Sequence, residues 1–152
     1  MSTRKSPSVD ESIRAMLLLM PRLVGRAKRL TPPDPLRSME LAPRHLSLLA
    51  YLLFDGQLTV GEIAARMELA STTVSLLVGE LSRKGVLERR EDETDRRRTI
   101  VAISQKHRPA VEAWLAGSAD AWRKALGPLT AEQRGIVVQA LRAYEQALSV
   151  GD

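Results

Sequence analysis

The stretch LTVGEIAARMELASTTVSLLVGELSRKG, residues 58–85, decides the fold. Thr59 and Glu62 stand three residues apart, the spacing at which a hydroxyl accepts from a first-turn amide and a carboxylate reaches back to the capping residue. Val60, Ile63, Ala64 and Met67 follow at helical spacing, which predicts a short amphipathic helix to about Met67. Glu68-Leu69-Ala70 is a tight connection. Ser71 then caps and opens a second helix to Lys84, with Val74, Leu77, Val78 and Leu81 on one face. Gly85 suits the left-handed position that closes such a helix. Two short helices joined by about three residues are the signature of a helix-turn-helix.

Toward the C-terminus the period changes. Val86-Leu87-Glu88-Arg89 and the β-branched run Thr99–Ile103 read as two strands. The charged and polar residues Arg90 to Arg98 become the long tip of a hairpin. Ser104 can cap a helix whose regular part begins near Arg108, with Val111, Trp114, Leu115, Ser118, Trp122 and Leu126 on one side. Gly127-Pro128 breaks it. Thr130 and Gln133 form a capping box for a last helix to about Leu148, whose apolar face is Ile136, Val137, Ala140, Leu141 and Tyr144.

Toward the N-terminus, a helix from Pro43 to Phe54 carries the stripe Leu46, Leu49, Ala50 and Leu53 and stops at Asp55-Gly56. Ser8 and Glu11 form a further capping box, and Ile13, Met16, Leu17, Met20, Leu23 and Val24 predict a helix over about 9–30. Pro21 should kink it, because proline lacks the N–H and crowds the preceding turn. Thr31-Pro32-Pro33-Asp34-Pro35 reads as a stiff linker. The expected fold is mainly α with a small β-hairpin. A winged helix-turn-helix lobe spans 43–103, and N- and C-terminal dimerisation helices occupy 1–30 and 104–152.

Composition narrows the function. The 152 residues include 23 Lys and Arg against 18 Asp and Glu, a formal charge of +5, which favours anionic partners. Aromatic residues are 3%, so aliphatic side chains must fill the core. The absence of cysteine excludes disulfides and thiol chemistry. No run approaches the ~18 apolar residues of a membrane span, so a cytoplasmic protein is expected. Arg22, Arg26, Lys28 and Arg29 read as the solvated face of the first helix rather than a membrane contact. An enzyme is not expected either. The two histidines, His45 and His107, lack metal-ligand spacing, and no cofactor or phosphate-loop motif occurs.

The second helix of the motif would present Ser71, Thr72, Thr73 and Ser75 at its exposed start. Small hydroxyl residues let a helix sit deep in a major groove and bond phosphates or base edges. At the hairpin tip, Asp95 precedes Arg96, Arg97 and Arg98. A projecting arginine can enter a narrow A·T-rich minor groove, and an aspartate beside it can fix the loop by a charge-assisted bond.

From Leu58 to Ser104 the chain resembles the MarR family of bacterial winged-helix regulators. The family's wing ends in Asp-x-Arg, five residues, then Leu-Thr. This chain has Asp95-Arg96-Arg97, then Arg98 to Ala102, then Ile103-Ser104. Leu58–Ala64 is similar to the family's first motif helix. Thr73-Val74-Ser75, Leu77-Val78, Leu81 and Lys84-Gly85-Val86-Leu87 are similar to its recognition helix and exit. The family often has arginine where this chain has Leu76, so more of the binding falls to Arg83 or the wing. The resemblance implies a homodimer, tied by the first and last two helices, on double-stranded DNA. It also implies a small-molecule effector pocket, with Arg14, Arg44, His45, Tyr51 and Trp114 as candidate lining, and repression as the usual outcome. By the same resemblance Arg97 is the arginine that Asp95 orients. The alternative, a winged helix used only for protein binding, would not need three consecutive arginines at its tip.

Overall fold

The computed structural model describes residues 6–30 and 32–149. Residues 1–5, Thr31 of the linker and residues 150–152 lie outside the described residues. In chain order the elements are α1 (Val9–Ala27), a 3-10 turn (Arg37–Met39), α2 (Pro43–Asp55), β1 (Leu58–Thr59), α3 (Val60–Met67), α4 (Ser71–Arg83), β2 (Leu87–Glu91), β3 (Thr99–Ile103), α5 (Arg108–Leu126) and α6 (Ala131–Ser149). The strands form one antiparallel sheet ordered β1-β3-β2. Leu58 pairs with Val101, Leu87 with Ile103 and Glu91 with Thr99.

The two-residue strand β1 has no counterpart in the sequence reading. Leu58 and Thr59 are too few to show alternation, and pairing with β3 alone makes them a strand. The hairpin also differs. β2 starts at Leu87 and runs to Glu91, so the tip shortens to residues 92–98. The polar run Arg90-Glu91 hid this, because a strand exposed along most of its length needs no apolar alternation. α1 ends at Ala27 and passes through Pro21 without interruption.

Local capping explains the helix boundaries. Ser8 and Glu11 form the reciprocal box, with the Ser8 N–H donating to Glu11 Oε2 at 2.7 Å. Thr130 and Gln133 do the same at α6, at 2.9 and 3.2 Å. At α3 only half the box exists. Thr59 Oγ1 accepts from the Glu62 N–H at 3.2 Å, while the Glu62 carboxylate turns toward Arg66 at 4.0 Å. Ser71 is not a cap, because Ala70 occupies that position without a side-chain bond. Ser104 is buried, with its hydroxyl on His107 Nδ1 at 3.1 Å, and its carbonyl accepts the Arg108 N–H that begins α5.

The two ends of the motif close alike. After α4 the Val86 N–H donates to the Leu81 carbonyl and the Gly85 N–H to that of Ser82, with Gly85 at φ 77°. After α3 the Leu69 N–H donates to Ala64 and the Glu68 N–H to Ala65, with Glu68 at φ 54°. Both are two-bond left-handed closures, but the second puts a Cβ-bearing residue where glycine is favoured. Glu68→Gly is therefore expected to raise stability by up to about 1 kcal/mol, net of glycine's greater unfolded-state freedom. An equilibrium urea melt checks this, and a loss of stability would contradict it.

The core lies in the lobe. Leu48, Leu49 and Leu52 of α2 meet Ile63 and Ala64 of α3, Val74, Leu77, Val78 and Leu81 of α4, and Val86, Val101 and Ile103 of the wing. The buried stripe of α2 is thus His45, Leu48, Leu49 and Leu52, not Leu46, Leu49, Ala50 and Leu53. Leucines surround this helix on most sides, so periodicity alone misplaced its face by one residue. Residues outside 43–103 also join this core. Leu36 and Val111 are fully buried in it, and Met39, Leu41, Trp114 and Leu115 pack against it. α1 and α6 bury no residue at all. Among the described residues no helix is long and apolar enough to cross a membrane.

Candidate nucleic-acid interface

α4 separates its faces cleanly. At about 100° per residue, burying Val74, Leu77, Val78 and Leu81 turns Thr72, Leu76, Gly79 and Arg83 outward in one stripe. Ser71, Thr72, Ser75, Leu76 and Arg83 are exposed, while Thr73 is half-buried and less available than its neighbours. Because Ala70 supplies no side-chain cap, the first amides of α4 remain free to meet an anion.

The wing tip is tied by its acids. Asp95 Oδ1 accepts from the Arg97 main-chain N–H at 3.1 Å and from Arg97 Nε at 3.2 Å. Its other oxygen lies 4.0 Å from Arg98 Nε. Arg97 remains 91% exposed along its side chain, so one N–H is held and the rest of the guanidinium points outward. Arg96 and Arg98 are also exposed. The Arg98 N–H donates to the Asp95 carbonyl, and the Asp92 N–H to the Arg98 carbonyl, closing the tip. At the wing base, Arg90 donates to Gln57 at 2.8 Å.

Asp92 organises the same tip. Its Oδ1 accepts from the Thr94 N–H at 3.0 Å and from the Thr94 hydroxyl at 2.8 Å. The Thr94 amide above all, then its hydroxyl, holds the carboxyl below its ordinary value of 3.8. A lowered folded value means that this turn is fully formed above the ordinary carboxylate range and is lost only as pH falls through the lower value. An NMR titration of the Asp92 carboxyl should show a midpoint below 3.8. A midpoint at or above it would contradict the turn.

Sequence reading missed what these parts enclose. Thr59, Gly61 and Glu62 at the start of α3, Ser75 of α4, and Arg97, Arg98 and Thr99 of the wing line one cleft of about 550 Å³. The signal was present in the bare start of α3, where Gly61 has no side chain, but only the pairing of β1 with β3 brings it beside the wing.

The five candidate effector residues stand at different places in the fold. Arg44 and Tyr51 line a cleft of about 480 Å³ with Arg66, Leu69 and Arg142, between α2, the α3–α4 turn and α6. The Tyr51 hydroxyl donates to the Arg66 carbonyl at 3.0 Å. His45 lies elsewhere. It is buried on the core-facing stripe of α2, with Nδ1 accepting the Ala42 N–H at 3.0 Å and Nε2 2.7 Å from Glu80 of α4. Trp114 packs on the lobe core, and Arg14 is exposed on α1.

Residues 40–98 match the profile of the MarR family. The HTH-type transcriptional repressor MdtR of Bacillus subtilis (strain 168) is 34% identical over 104 residues, 66% of this chain and 67% of that protein. The chain belongs to the MarR family. As a MarR protein it is a DNA-binding transcriptional regulator and not an enzyme. Solved structures agree on the fold. Streptococcus pneumoniae FabT in complex with DNA aligns at a TM-score of 0.73 and 14% identity, over 95% of this chain and 100% of that one. PcaV from Streptomyces coelicolor in complex with its natural ligand aligns at 0.64 and 16% identity, over 95% and 99%.

Proposed function

We propose that the protein is a cytoplasmic homodimeric repressor that grips operator DNA and leaves it when a small molecule binds. The observation that carries this reading is the split of the chain into two unlike surfaces. One is the face where α4, the start of α3 and the wing arginines converge. The other is a set of unpartnered apolar helix faces, including Ile13, Leu17 and Val24 of α1, Trp122 of α5, and Ile136 and Leu141 of α6. α1 and α6 together frame an apolar cleft of about 600 Å³. Faces this extensive favour closed two-fold pairing. That pairing would set two recognition helices into successive major grooves.

DNA contacts fall to Ser71, Thr72, Thr73, Ser75, Arg83, Arg96, Arg97 and Arg98, with Asp95 orienting Arg97. The repressor reading follows MdtR, and DNA and ligand as partners follow FabT and PcaV. The effector would enter the cleft of Arg44 and Tyr51, where a wedge between α6 and the α3–α4 turn changes the spacing of the two recognition helices. Sedimentation equilibrium at micromolar protein is expected to give about twice the chain mass of 16.8 kDa. A monomer that still binds its operator would remove the dimer from the mechanism.

A further inference from the structure

Leu76 is 69% exposed on the recognition helix. It is the apolar member of a stripe otherwise made of Thr72, Gly79 and Arg83, on the side opposite the buried face of α4. No core contact explains a leucine there. Gly79 leaves room for its neighbour, since Arg83 Nη1 lies 3.7 Å from where a Cβ on Gly79 would stand. The guanidinium therefore folds back along the helix over Gly79. Leu76 and Gly79 are separated by about 4.5 Å of helix rise, close to the ~3.4 Å step between bases along one strand. An apolar knob and a cationic fork thus sit next to each other along the same ridge.

In the major groove the one apolar group that a base edge offers is the C5-methyl of thymine, while a fork suits the acceptors of a guanine. We propose that Leu76 is a specificity-determining residue that packs on a thymine methyl in each operator half-site, with Arg83 contacting the adjoining base pair. The inference rests on the DNA-binding reading above. It commits the operator to thymine at that position, and leucine there is what makes the choice.

The test uses the full chain and a duplex selected by it from a random pool. Each thymine of the selected duplex is replaced in turn by deoxyuridine, which keeps pairing and removes only the methyl. At one thymine per half-site, replacement should weaken wild-type binding about fourfold, and about fifteenfold when both half-sites are changed, as expected for one buried carbon each. Leu76→Ala should bind both duplexes equally. Leu76→Met, which keeps an apolar contact, should retain the sensitivity and guards against a variant that binds too weakly to measure. If wild type selects no sequence, the DNA-binding reading itself fails. If it selects one but no deoxyuridine position separates wild type from Leu76→Ala, the assignment of Leu76 is overturned.

Discussion

Thr72→Glu is expected to abolish sequence-specific DNA binding, with a loss on the order of a hundredfold or more, because a like charge set against phosphate costs several kcal/mol. Thr72 lies in the first turn of α4 and is exposed, so the new carboxylate would stand where the groove must close on the helix. The same position predicts an intact fold. An acid in the first turn of a helix is favourable by about 0.3–1 kcal/mol, and the α4 start has no side-chain cap to lose. The melting temperature should therefore hold or rise slightly while binding disappears. Thr73 is a poorer site for the experiment, since it is half-buried and a bulky acid there would disturb packing. Fluorescence anisotropy on a selected duplex, with a thermal melt of the same sample, checks both halves. Normal binding by Thr72→Glu would mean that α4 does not enter the groove.

The second large effect belongs to the wing. Arg97→Ala and Asp95→Ala should both weaken binding, although the first removes a positive charge and the second a negative one. Long-range electrostatics alone predicts that losing Asp95 helps. The geometry predicts the reverse, because the Asp95 carboxylate holds Arg97 by its main-chain N–H and its Nε and lies 4.0 Å from Arg98 Nε. Without that carboxylate the exposed guanidinium loses a fixed direction. Removing one arginine–phosphate pair should lower the slope of log K against log salt by about 0.9, so Arg97→Ala in both protomers should lower it by up to about 1.8. If Arg97 reaches base edges in the minor groove instead, the slope should change less and preference for A·T-rich flanks should relax. Titrations of the wild type and both variants at several salt concentrations separate these cases. Unchanged affinity in both variants would take the wing out of the interface.

The parts of the fold that were legible in sequence are those with a local physical cause. Gly85 closes α4 because only a left-handed residue satisfies the last carbonyls there, and glycine shows that need openly. The closure after α3 has the same geometry but uses Glu68, which gives no such sign. Val74, Leu77, Val78 and Leu81 stand out because, Leu76 aside, the rest of α4 is polar or small. The buried face of α2 does not, since leucines at 46, 48, 49, 52 and 53 blur the period. His45 is a candidate effector-lining residue by resemblance alone. The structure adds that it is a buried link between the α2 cap and Glu80 of α4, a partnership across 35 residues of chain that spacing cannot reveal. The same limit applies to the cleft beside the wing, whose residues come from three separate segments. The Asp95–Arg97 bond, two residues in span, was the kind of contact that sequence can foresee.

Hydroxyl-radical footprinting of the full chain on its selected duplex tests most directly whether the recognition helix and wing grip DNA as a two-fold pair. The expected pattern is two equivalent protected half-sites whose centres lie about one helical turn apart, roughly 34–36 Å, flanked by minor-groove protection that disappears in Arg97→Ala. A single asymmetric half-site, or protection that does not depend on sequence, would contradict it.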